Sequence, residues 1–371
     1  MKIEIKKNSN LFVGRVAEND LNENEERNNE PRENEKARLS CVSELRQDLV
    51  SGDWVVIATG RAKRPEDFAK NEKIKTSDDI ESCIFEHPEK TGQEPDVLIY
   101  KKEDGDWSLR VFPNKFPAFS QQRKSCGLST EGPYLSFPAT GYHEIIVTRS
   151  HDRLVALMYE FEIAEVFDAY QERYLDLMNK PDVNFISIFH NHGKEAGASI
   201  SHPHSQLMAI PVVSPYLQLE LNGAEKYFRN NKKCVFCLMA EYESEIKKRV
   251  VFENDDFVAF CPFASRAAFE VWVVVKNHQP YFERLSVEEK IGLAEVFKKT
   301  MGAINKALNN PPYNFYIHTA PCDGKDYPHF HWHIEILPHT ATWAGFELET
   351  GIEISTIQPE VAVEYLKNHL V

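Results

Sequence analysis

The chain lacks an apolar run that could cross a membrane, and it lacks any excess of basic residues. A membrane-spanning helix needs about 20 consecutive apolar residues, and no segment of the 371 residues approaches that length. The N-terminus, MKIEIKKNSN, also lacks the apolar stretch of a secretory signal peptide. These absences predict a protein with no membrane partner.

Cysteine is scarce and the charge balance is acidic. Seven cysteines are too few for a disulfide scaffold, so we expect a reducing, cytoplasmic compartment. Lys and Arg number 43 against 57 Asp and Glu, which gives a formal net charge of −14. That balance argues against nucleic acid as a partner. A hydrophobic share of 42% is enough for the core of a globular protein.

The first segment of the chain is unsuited to a core. Residues 18–36 are almost entirely Glu, Asn, Arg, Asp and Lys. Such a composition cannot bury apolar area and predicts disorder. We therefore treat residues 1–38 as a disordered polar tail with no assigned function.

An internal repeat covers the rest of the chain. Asn184 begins an apolar strand that leads through a loop to His202, and Asn314 begins a matching strand that leads to His331. The separations are 18 and 17 residues. Similar order at similar spacing indicates two copies of one structural unit.

The agreement extends upstream of these strands. Each copy has an earlier strand that leads to a histidine, His151 or His278, and then to apolar residues at helical spacing. In the second copy Ser286 begins a capping box for that helix. The order predicts an α+β fold of two tandem units, each an antiparallel sheet with a long helix. We place the units at residues 39–222 and 223–371.

Residues of metal-ligand type occupy matching places in the two copies. A Cys-x-x-Cys pair can bind one zinc ion from a tight turn, with two further ligands from elsewhere. Carboxylate oxygen is also an acceptable zinc ligand. Neither set leaves an open position, so we expect structural zinc; redox use of the cysteine pair and an empty first site are the alternatives. The candidate ligands are Cys234, Cys237, His278 and His331 in the second copy, and Cys83, Glu86, His151 and His202 in the first.

The strand after His202 carries the candidate catalytic residues. Residues 202, 204 and 206 of a β-strand face one way, which places His204 and Gln206 together. A neutral imidazole is a competent nucleophile near pH 7, and its attack on phosphorus gives a phosphoramidate that can pass the group onward. Gln206 could donate to a phosphoryl oxygen beside that histidine.

A loop of small residues runs directly into this strand. Its backbone N–H groups, together with Asn191, Gly197 and Ser199, are suited to binding phosphate. The second copy lacks this loop and has a glutamate, Glu335, at the position of the catalytic glutamine. We expect no second nucleophile there; His333 and Glu335 could instead bind a second metal or support the subunit.

These residues resemble the galactose-1-phosphate uridylyltransferase family of the histidine-triad superfamily. The resemblance runs from about Leu45 to the C-terminus and includes the His-Pro-His-x-Gln motif, an N-terminal segment with Arg46 and Arg61, and a loop with Asn114. It implies that His204 is the nucleophile. It also implies that the two arginines and Asn114 bind phosphate or base.

The same resemblance bears on the metal ligands. Cys83, His151 and His202 match three zinc ligands of the family, whereas the fourth family ligand is a cysteine and here is Glu86. The Cys-x-x-Cys pair at 234–237 and the His-Trp pair at 331–332 are similar to the plant-type branch, which acts as an adenylyl-sugar phosphorylase.

The resemblance implies a ping-pong reaction through a nucleotidyl-histidine. A nucleoside diphosphate sugar transfers its nucleotidyl group to the histidine, a sugar 1-phosphate leaves, and a second sugar 1-phosphate takes the group. Our leading hypothesis is uridylyl transfer between UDP-glucose and galactose 1-phosphate. The alternatives are an ADP-glucose or dinucleoside polyphosphate phosphorylase, a hydrolase of the superfamily, and a catalytically silent nucleotide-binding protein. Family members are commonly dimers, so the resemblance implies a homodimer.

Overall fold

The computed structural model describes residues 43–59, 65–68, 80–121 and 129–370; the predicted tail and Arg61 lie outside these ranges. The strands are β1 Glu44–Gln47, β2 Trp54–Ile57, β3 Leu98–Lys101, β4 Trp107–Pro113, β5 Ser129–Glu131, β6 Tyr134–Ser136, β7 Tyr142–Thr148, β8 Phe185–His192, β9 His204–Ile210, β10 Val250–Glu253, β11 Phe257–Phe260, β12 Val271–Val275, β13 Tyr313–His318, β14 His333–Pro338 and β15 Glu353–Ser355. The helices are α1 Pro65–Phe68, α2 Glu160–Leu177, α3 Pro215–Asn231, α4 Val235–Ile246, α5 Val287–Ala307, α6 Gly345–Thr350 and α7 Pro359–Lys367.

A ten-stranded sheet forms the centre of the fold. Its order is β10-β11-β12-β14-β13-β8-β9-β7-β4-β3, and every neighbouring pair is antiparallel. Read from the two outer edges inward, the strands of the first half (β3, β4, β7, β9, β8) and of the second half (β10, β11, β12, β14, β13) follow the same order along the chain. The predicted α+β architecture of two antiparallel units is confirmed, and the pairing of β8 with β13 joins them into one sheet.

The strand register of the two halves agrees at the candidate catalytic position, although it equates Asn314 with Ser187 rather than with Asn184. Gln206 in β9 lies opposite Ile145 on one side and Phe189 on the other. Glu335 in β14 lies opposite Trp272 and Tyr316. The two positions that the repeat equates are therefore equivalent in space.

The long helices α2 and α5 cover one face of this sheet. Alternate strand residues such as Leu207 and Ile334 point into that core and are fully buried. Phe167 of α2 meets Phe297 of α5 edge to face, with ring centroids 5.3 Å apart. Each such side chain contributes roughly 1.5–3 kcal/mol through burial. This packing leaves residues 204 and 206 on the opposite face.

The helix starts follow the sequence signals. Ser286 precedes α5 and accepts from the backbone N–H of Glu289, whose carboxylate accepts from the N–H of Ser286 in return, so the predicted capping box is confirmed. Among the described residues, no helix is both long enough and apolar enough to span a bilayer.

Two smaller sheets complete the described structure. β15 pairs in parallel with β2, which pairs with β1 in turn, so a strand near the C-terminus joins two strands near the start of the described chain. β5 and β6 form a separate hairpin.

Candidate functional site

His204 begins β9 and is oriented by the backbone. Its Nδ1 lies 2.8 Å from the carbonyl oxygen of His202. Since a carbonyl oxygen only accepts, we infer that Nδ1 carries the proton and that Nε2 keeps its lone pair. Burial lowers the pKa of His204, which is 7% exposed, and therefore favours the neutral ring. The edge-to-face ring of Phe85, 5.0 Å away, packs against it. A neutral imidazole with a free Nε2 is what a nucleophile requires.

Gln206 contacts a histidine that the sequence analysis did not single out. Its Oε1 lies 2.8 Å from Nε2 of His143 in β7. Nδ2 of Asn114 lies 3.2 Å from the same ring nitrogen. The structure thus brings together Asn114 and Gln206, two predicted site residues, through His143. Alternation along β7 could have found His143 once β7 was known to pair with β9.

The loop before β9 has the backbone that its glycines permit. Gly193 and Gly197 have φ of 84° and 86°, a region that residues with a Cβ rarely adopt. The chain makes one 3₁₀ turn between them, at Lys194–Ala196. Ser199 and Gly197 are exposed and Asn191 is half-buried. The predicted phosphate-binding residues are therefore accessible to a ligand.

A residue of the second half holds this loop. Asn314 of β13 donates through Nδ2 to Oδ1 of Asn191, at 2.8 Å, and to the carbonyl oxygen of Ala196, at 2.9 Å. Its own Oδ1 accepts from Nε2 of His339. The sequence repeat marks Asn314 only as the counterpart of Asn184, whose Nδ2 donates to the carbonyl oxygen of Pro211 instead.

The first predicted metal set converges beside the nucleophile. Ligand atoms of Cys83, His151 and His202 all lie within 4.8 Å of one another. Nδ1 of His202 is 3.5 Å from Sγ of Cys83 and 3.2 Å from Nδ1 of His151. Nε2 of His202 donates to the carbonyl oxygen of Thr148 at 2.7 Å, which leaves Nδ1 for a metal. Burial lowers the pKa of His202 to about 4, so the ring is neutral, as a ligand must be.

Glu86 lies beside this set, although the group whose ligand atoms all lie within 4.8 Å of one another comprises only Cys83, His151 and His202. Its Oε1 accepts from Arg149. Its Oε2 is buried without a hydrogen bond and lies 3.9 Å from Nδ1 of both His151 and His202. A buried carboxylate oxygen that faces two imidazole nitrogens would be stabilised by a cation bound between them. The donor set therefore fits zinc, and Glu86 as its fourth ligand stays a prediction.

The second predicted metal set also converges. Cys234 precedes α4, Cys237 lies in its first turn, and ligand atoms of both cysteines, His278 and His331 lie within 4.8 Å of one another. Sγ of Cys237 is 3.4 Å from Nδ1 of His278 and 3.3 Å from Nδ1 of His331. Tetrahedral zinc places sulfur and nitrogen ligands roughly 3.5 Å apart. The Nε2 atoms of both histidines donate to backbone carbonyl oxygens, at 3.0 and 2.8 Å.

A third cluster surrounds His333, the counterpart of His204. Nδ1 of His333 lies 3.1 Å from the carbonyl oxygen of His331, and Nε2 lies 3.5 Å from Oε1 of Glu335. Nδ1 of His318 lies 2.9 Å from Oε2 of Glu220. Nε2 of His333, Oε1 of Glu335, Nδ1 of His318 and Oε2 of Glu220 are buried, and ligand atoms of the four residues lie within 4.8 Å of one another. These four residues could hold a cation, in line with the metal alternative for His333 and Glu335.

In the second half, salt bridges occupy the sheet face that corresponds to the one carrying His204 and Gln206 in the first half. Arg266 donates through Nη2 to Oε1 of Glu270, at 2.9 Å, and to Oε2 of Glu335. The same guanidinium contacts the hydroxyls of Tyr216 and Tyr316. The equivalent position in the first half carries the uncharged Gln206.

Arg46, one of the two predicted phosphate-binding arginines, is paired with residues other than those of this site. The guanidinium of Arg46 donates to Glu44, to the carbonyl oxygen of Phe263 at 3.0 Å and to Glu360 at 3.1 Å. Its side chain is 7% exposed. A role for Arg46 in substrate binding would require these ion pairs to open, and it stays a prediction. Arg61 lies outside the described residues.

Two family models match the chain. The model described as galactose-1-phosphate uridyl transferase, N-terminal domain, matches residues 23–214, which include the loop, His204 and the first metal set. A domain of unknown function, DUF4921, matches residues 139–371.

Known proteins are similar over most of the chain. An ADP-glucose phosphorylase of Arabidopsis thaliana is 32% identical over 87% of this chain and 92% of its own length. A galactose-1-phosphate uridylyltransferase of Thermotoga maritima is 28% identical over 87% of this chain and 98% of its own. The crystal structure of an Arabidopsis thaliana ADP-glucose phosphorylase with bound ADP-glucose superposes with a TM-score of 0.76 at 31% identity, covering 89% of this chain and 100% of that one. With the fold, the loop and the histidine strand in place, the chain belongs to the galactose-1-phosphate uridyl transferase family.

Proposed function

We propose that this protein is a hexose-1-phosphate nucleotidyltransferase that works through a nucleotidyl group on His204. The observation that carries the proposal is the backbone acceptor at Nδ1, 2.8 Å away, which leaves Nε2 of a buried, neutral ring free to attack. The substrates are a nucleoside diphosphate sugar and a sugar 1-phosphate.

The reaction proceeds in two displacements at one phosphorus. Nε2 of His204 bonds to the α-phosphorus of the nucleotide sugar as the bond to the sugar 1-phosphate breaks, and that sugar phosphate leaves as an anion. A second phosphate acceptor then attacks the same phosphorus, and the electron pair returns to Nε2. Gln206 and the backbone N–H groups of the 193–203 loop donate to the phosphoryl oxygens. A phosphate leaving group needs little protonation, so the site requires no strong general acid.

The leading donor and acceptor pair is UDP-glucose with galactose 1-phosphate. The 28% identical Thermotoga maritima relative, which aligns over nearly its full length, supports it. The second candidate is adenylyl transfer from ADP-glucose to inorganic phosphate, supported by the 32% identity to the plant phosphorylase. Both reactions use the same histidine chemistry and differ in the base and in the acceptor.

We assign zinc to the two cysteine-containing sets, as a structural ion. When bound, the metal would crosslink segments that are far apart in sequence and contribute to folding. In the first set this crosslink would fix His202, two residues before the nucleophile. A cytoplasmic location and a homodimer stay predictions.

The other two hypotheses fit the site less well. A hydrolase needs water as acceptor and, in this superfamily, a third histidine where Gln206 stands. A silent nucleotide-binding protein has no need of an imidazole held in the nucleophilic tautomer beside an accessible phosphate loop.

The test is the mass of the intact protein after incubation with UDP-glucose or with ADP-glucose, each alone. We expect a gain of one uridylyl or one adenylyl group, which identifies the donor. Galactose 1-phosphate or inorganic phosphate added next should remove the group, which identifies the acceptor. No mass gain and no isotope exchange with either donor would contradict the proposal.

A further inference from the structure

We propose that His143 is a positioning residue that holds the amide of Gln206 with its N–H groups toward the phosphoryl group transferred at His204. The inference rests on the function proposed above and adds to it the control of Gln206. His143 lies on β7 and Gln206 on the neighbouring β9, and the two side chains meet across the strands.

The hydrogen-bond donors around His143 fix the direction of each bond. The backbone N–H of Ala118 donates to Nδ1 at 3.3 Å, and a backbone N–H can only donate. Nδ1 is therefore the acceptor, and in the neutral ring the proton lies on Nε2. Burial lowers the pKa of His143 and thus favours this neutral form. Nε2–H then donates to Oε1 of Gln206 at 2.8 Å.

Asn114 supports the same arrangement from the loop after β4. Its Oδ1 accepts from the backbone N–H of Phe116 at 2.9 Å, so its NH₂ group faces the ring of His143. In this tautomer that NH₂ group can donate only to Nδ1, which lies 3.5 Å away. Its own backbone N–H donates to the carbonyl oxygen of His143 at 2.7 Å. Two donors of this loop thus face the ring of His143, a third bond holds its backbone, and the single N–H of the ring goes to Gln206.

The orientation of the Gln206 amide determines whether its NH₂ group or its oxygen faces the phosphoryl group. A glutamine amide has one acceptor and two donors, and the two ends have nearly the same shape. With Oε1 held by His143, the NH₂ end remains to donate to a phosphoryl oxygen at the nucleophile. A reversed amide would place its oxygen against the phosphoryl oxygen, where two partial negative charges repel.

The second half couples the same two positions by other means. The strand register equates His143 with Glu270 and Gln206 with Glu335. Arg266 bridges these two carboxylates. Both halves therefore join this pair of positions, through an uncharged histidine–glutamine hydrogen bond in the first half and through a guanidinium between two carboxylates in the second.

The test is a double-mutant cycle on the full chain with His143→Phe, Gln206→Ala and the double variant. The rate of nucleotide transfer onto His204 is measured in single turnovers with saturating UDP-glucose or ADP-glucose. We expect His143→Phe to lower this rate about tenfold with a smaller change in KM, as for one misdirected charge-assisted hydrogen bond. In the Gln206→Ala background the same change should have no further effect.

A conservative variant separates positioning from packing. The side-chain amide of His143→Gln can donate to Gln206 and should recover most of the rate, whereas His143→Met, of similar size and without a donor, should not. Melting temperatures are measured for all variants, and His143→Met replaces His143→Phe in the cycle if the latter does not fold. The inference is wrong if the losses multiply in the double variant, or if Gln and Met at position 143 act alike. Wild-type protein that takes up no nucleotide would contradict the proposed function instead.

Discussion

The two halves of the central sheet place a histidine at the same strand position and surround it differently. In both, Nδ1 lies against a carbonyl oxygen two residues earlier, at 2.8 Å for His204 and 3.1 Å for His333, so the backbone sets the same tautomer twice. The partner two residues on is neutral Gln206 in the first half and Glu335, buried among other charges, in the second. The strand backbone sets the tautomer in which Nε2 can act as a nucleophile. The neighbouring side chains then determine whether Nε2 faces a bound phosphoryl group or a carboxylate.

The largest expected effect comes from removing the first-half histidine. His204→Ala should lower kcat/KM for nucleotide transfer by roughly ten-thousand-fold, because no neighbouring group can form the same intermediate. The protein should still fold, although the loss of a buried ring that packs against Phe85 should lower the melting temperature. Steady-state kinetics and thermal unfolding of the same preparation check both statements.

His333→Ala is the matched control for that comparison. It removes a fully buried ring from the Glu220, His318 and Glu335 cluster, so we expect it to lower the melting temperature while transfer stays within about tenfold of wild type. Equal losses of transfer in the two alanine variants would break the distinction between the halves.

Loss of bound metal should also have different effects on turnover in the two halves. Cys234→Ser should lower bound zinc and reduce the melting temperature by about 5 °C or more, with turnover nearly unchanged, because a structural site contributes to folding. Cys83→Ser should lower both stability and turnover, since its set includes His202, two residues from the nucleophile. Zinc content by elemental analysis is the readout. Unchanged metal in Cys234→Ser would contradict that ligand assignment.

A smaller effect tests the support that the second half gives to the first. Asn314→Ala removes the hydrogen bonds to Asn191 and Ala196 at 2.8 and 2.9 Å. At roughly 1 kcal/mol for each bond, kcat/KM should fall about 10- to 30-fold. The repeat counterpart, Asn184→Ala, loses only a bond to the carbonyl oxygen of Pro211 and should leave kcat/KM unchanged. Similar kinetics for the two variants would contradict the loop-holding role of Asn314.

The smallest effect concerns the pH dependence of stability in the charged second half. Burial raises the pKa of Glu353 from 4.5 to about 7, although Arg266 opposes the shift. The unfolded chain then releases this proton first, so the contribution of Glu353 is complete below pH 4.5 and is lost as pH rises to about 7. The melting temperature of wild type minus that of Glu353→Gln should fall across this window. A difference independent of pH would contradict the assignment.

Most of the fold and site features that could be predicted from the sequence came from the internal repeat. Matching spacing of asparagines, histidines and helix patterns predicted two α+β units, and strand alternation placed His204 and Gln206 on one face. The metal sets followed from the same correspondence, because residues at equivalent places in two copies must lie in equivalent surroundings. Local periodicity was sufficient for these features since each belongs to one strand or one motif.

The remaining features depend on which strands become neighbours. The contact between His143 and Gln206 requires β7 beside β9, and the bonds of Asn314 to the 193–203 loop require β13 beside β8. The ion pairs of Arg46 arise because β1 lies near residues 263 and 360. No spacing along the chain encodes such pairings, so the sequence could not show that Arg46 has partners other than a phosphate.

The most direct test of the account is the position of the covalent nucleotide. After incubation with UDP-glucose or ADP-glucose, the chain should carry one nucleotidyl group, labile in acid and stable in alkali as a phosphoramidate, on the peptide that contains His204. The same peptide in His204→Ala should carry none, and the peptide with His333 should carry none in either protein. A nucleotide on any other residue, or one that still forms on His204→Ala, would contradict the assignment of the nucleophile.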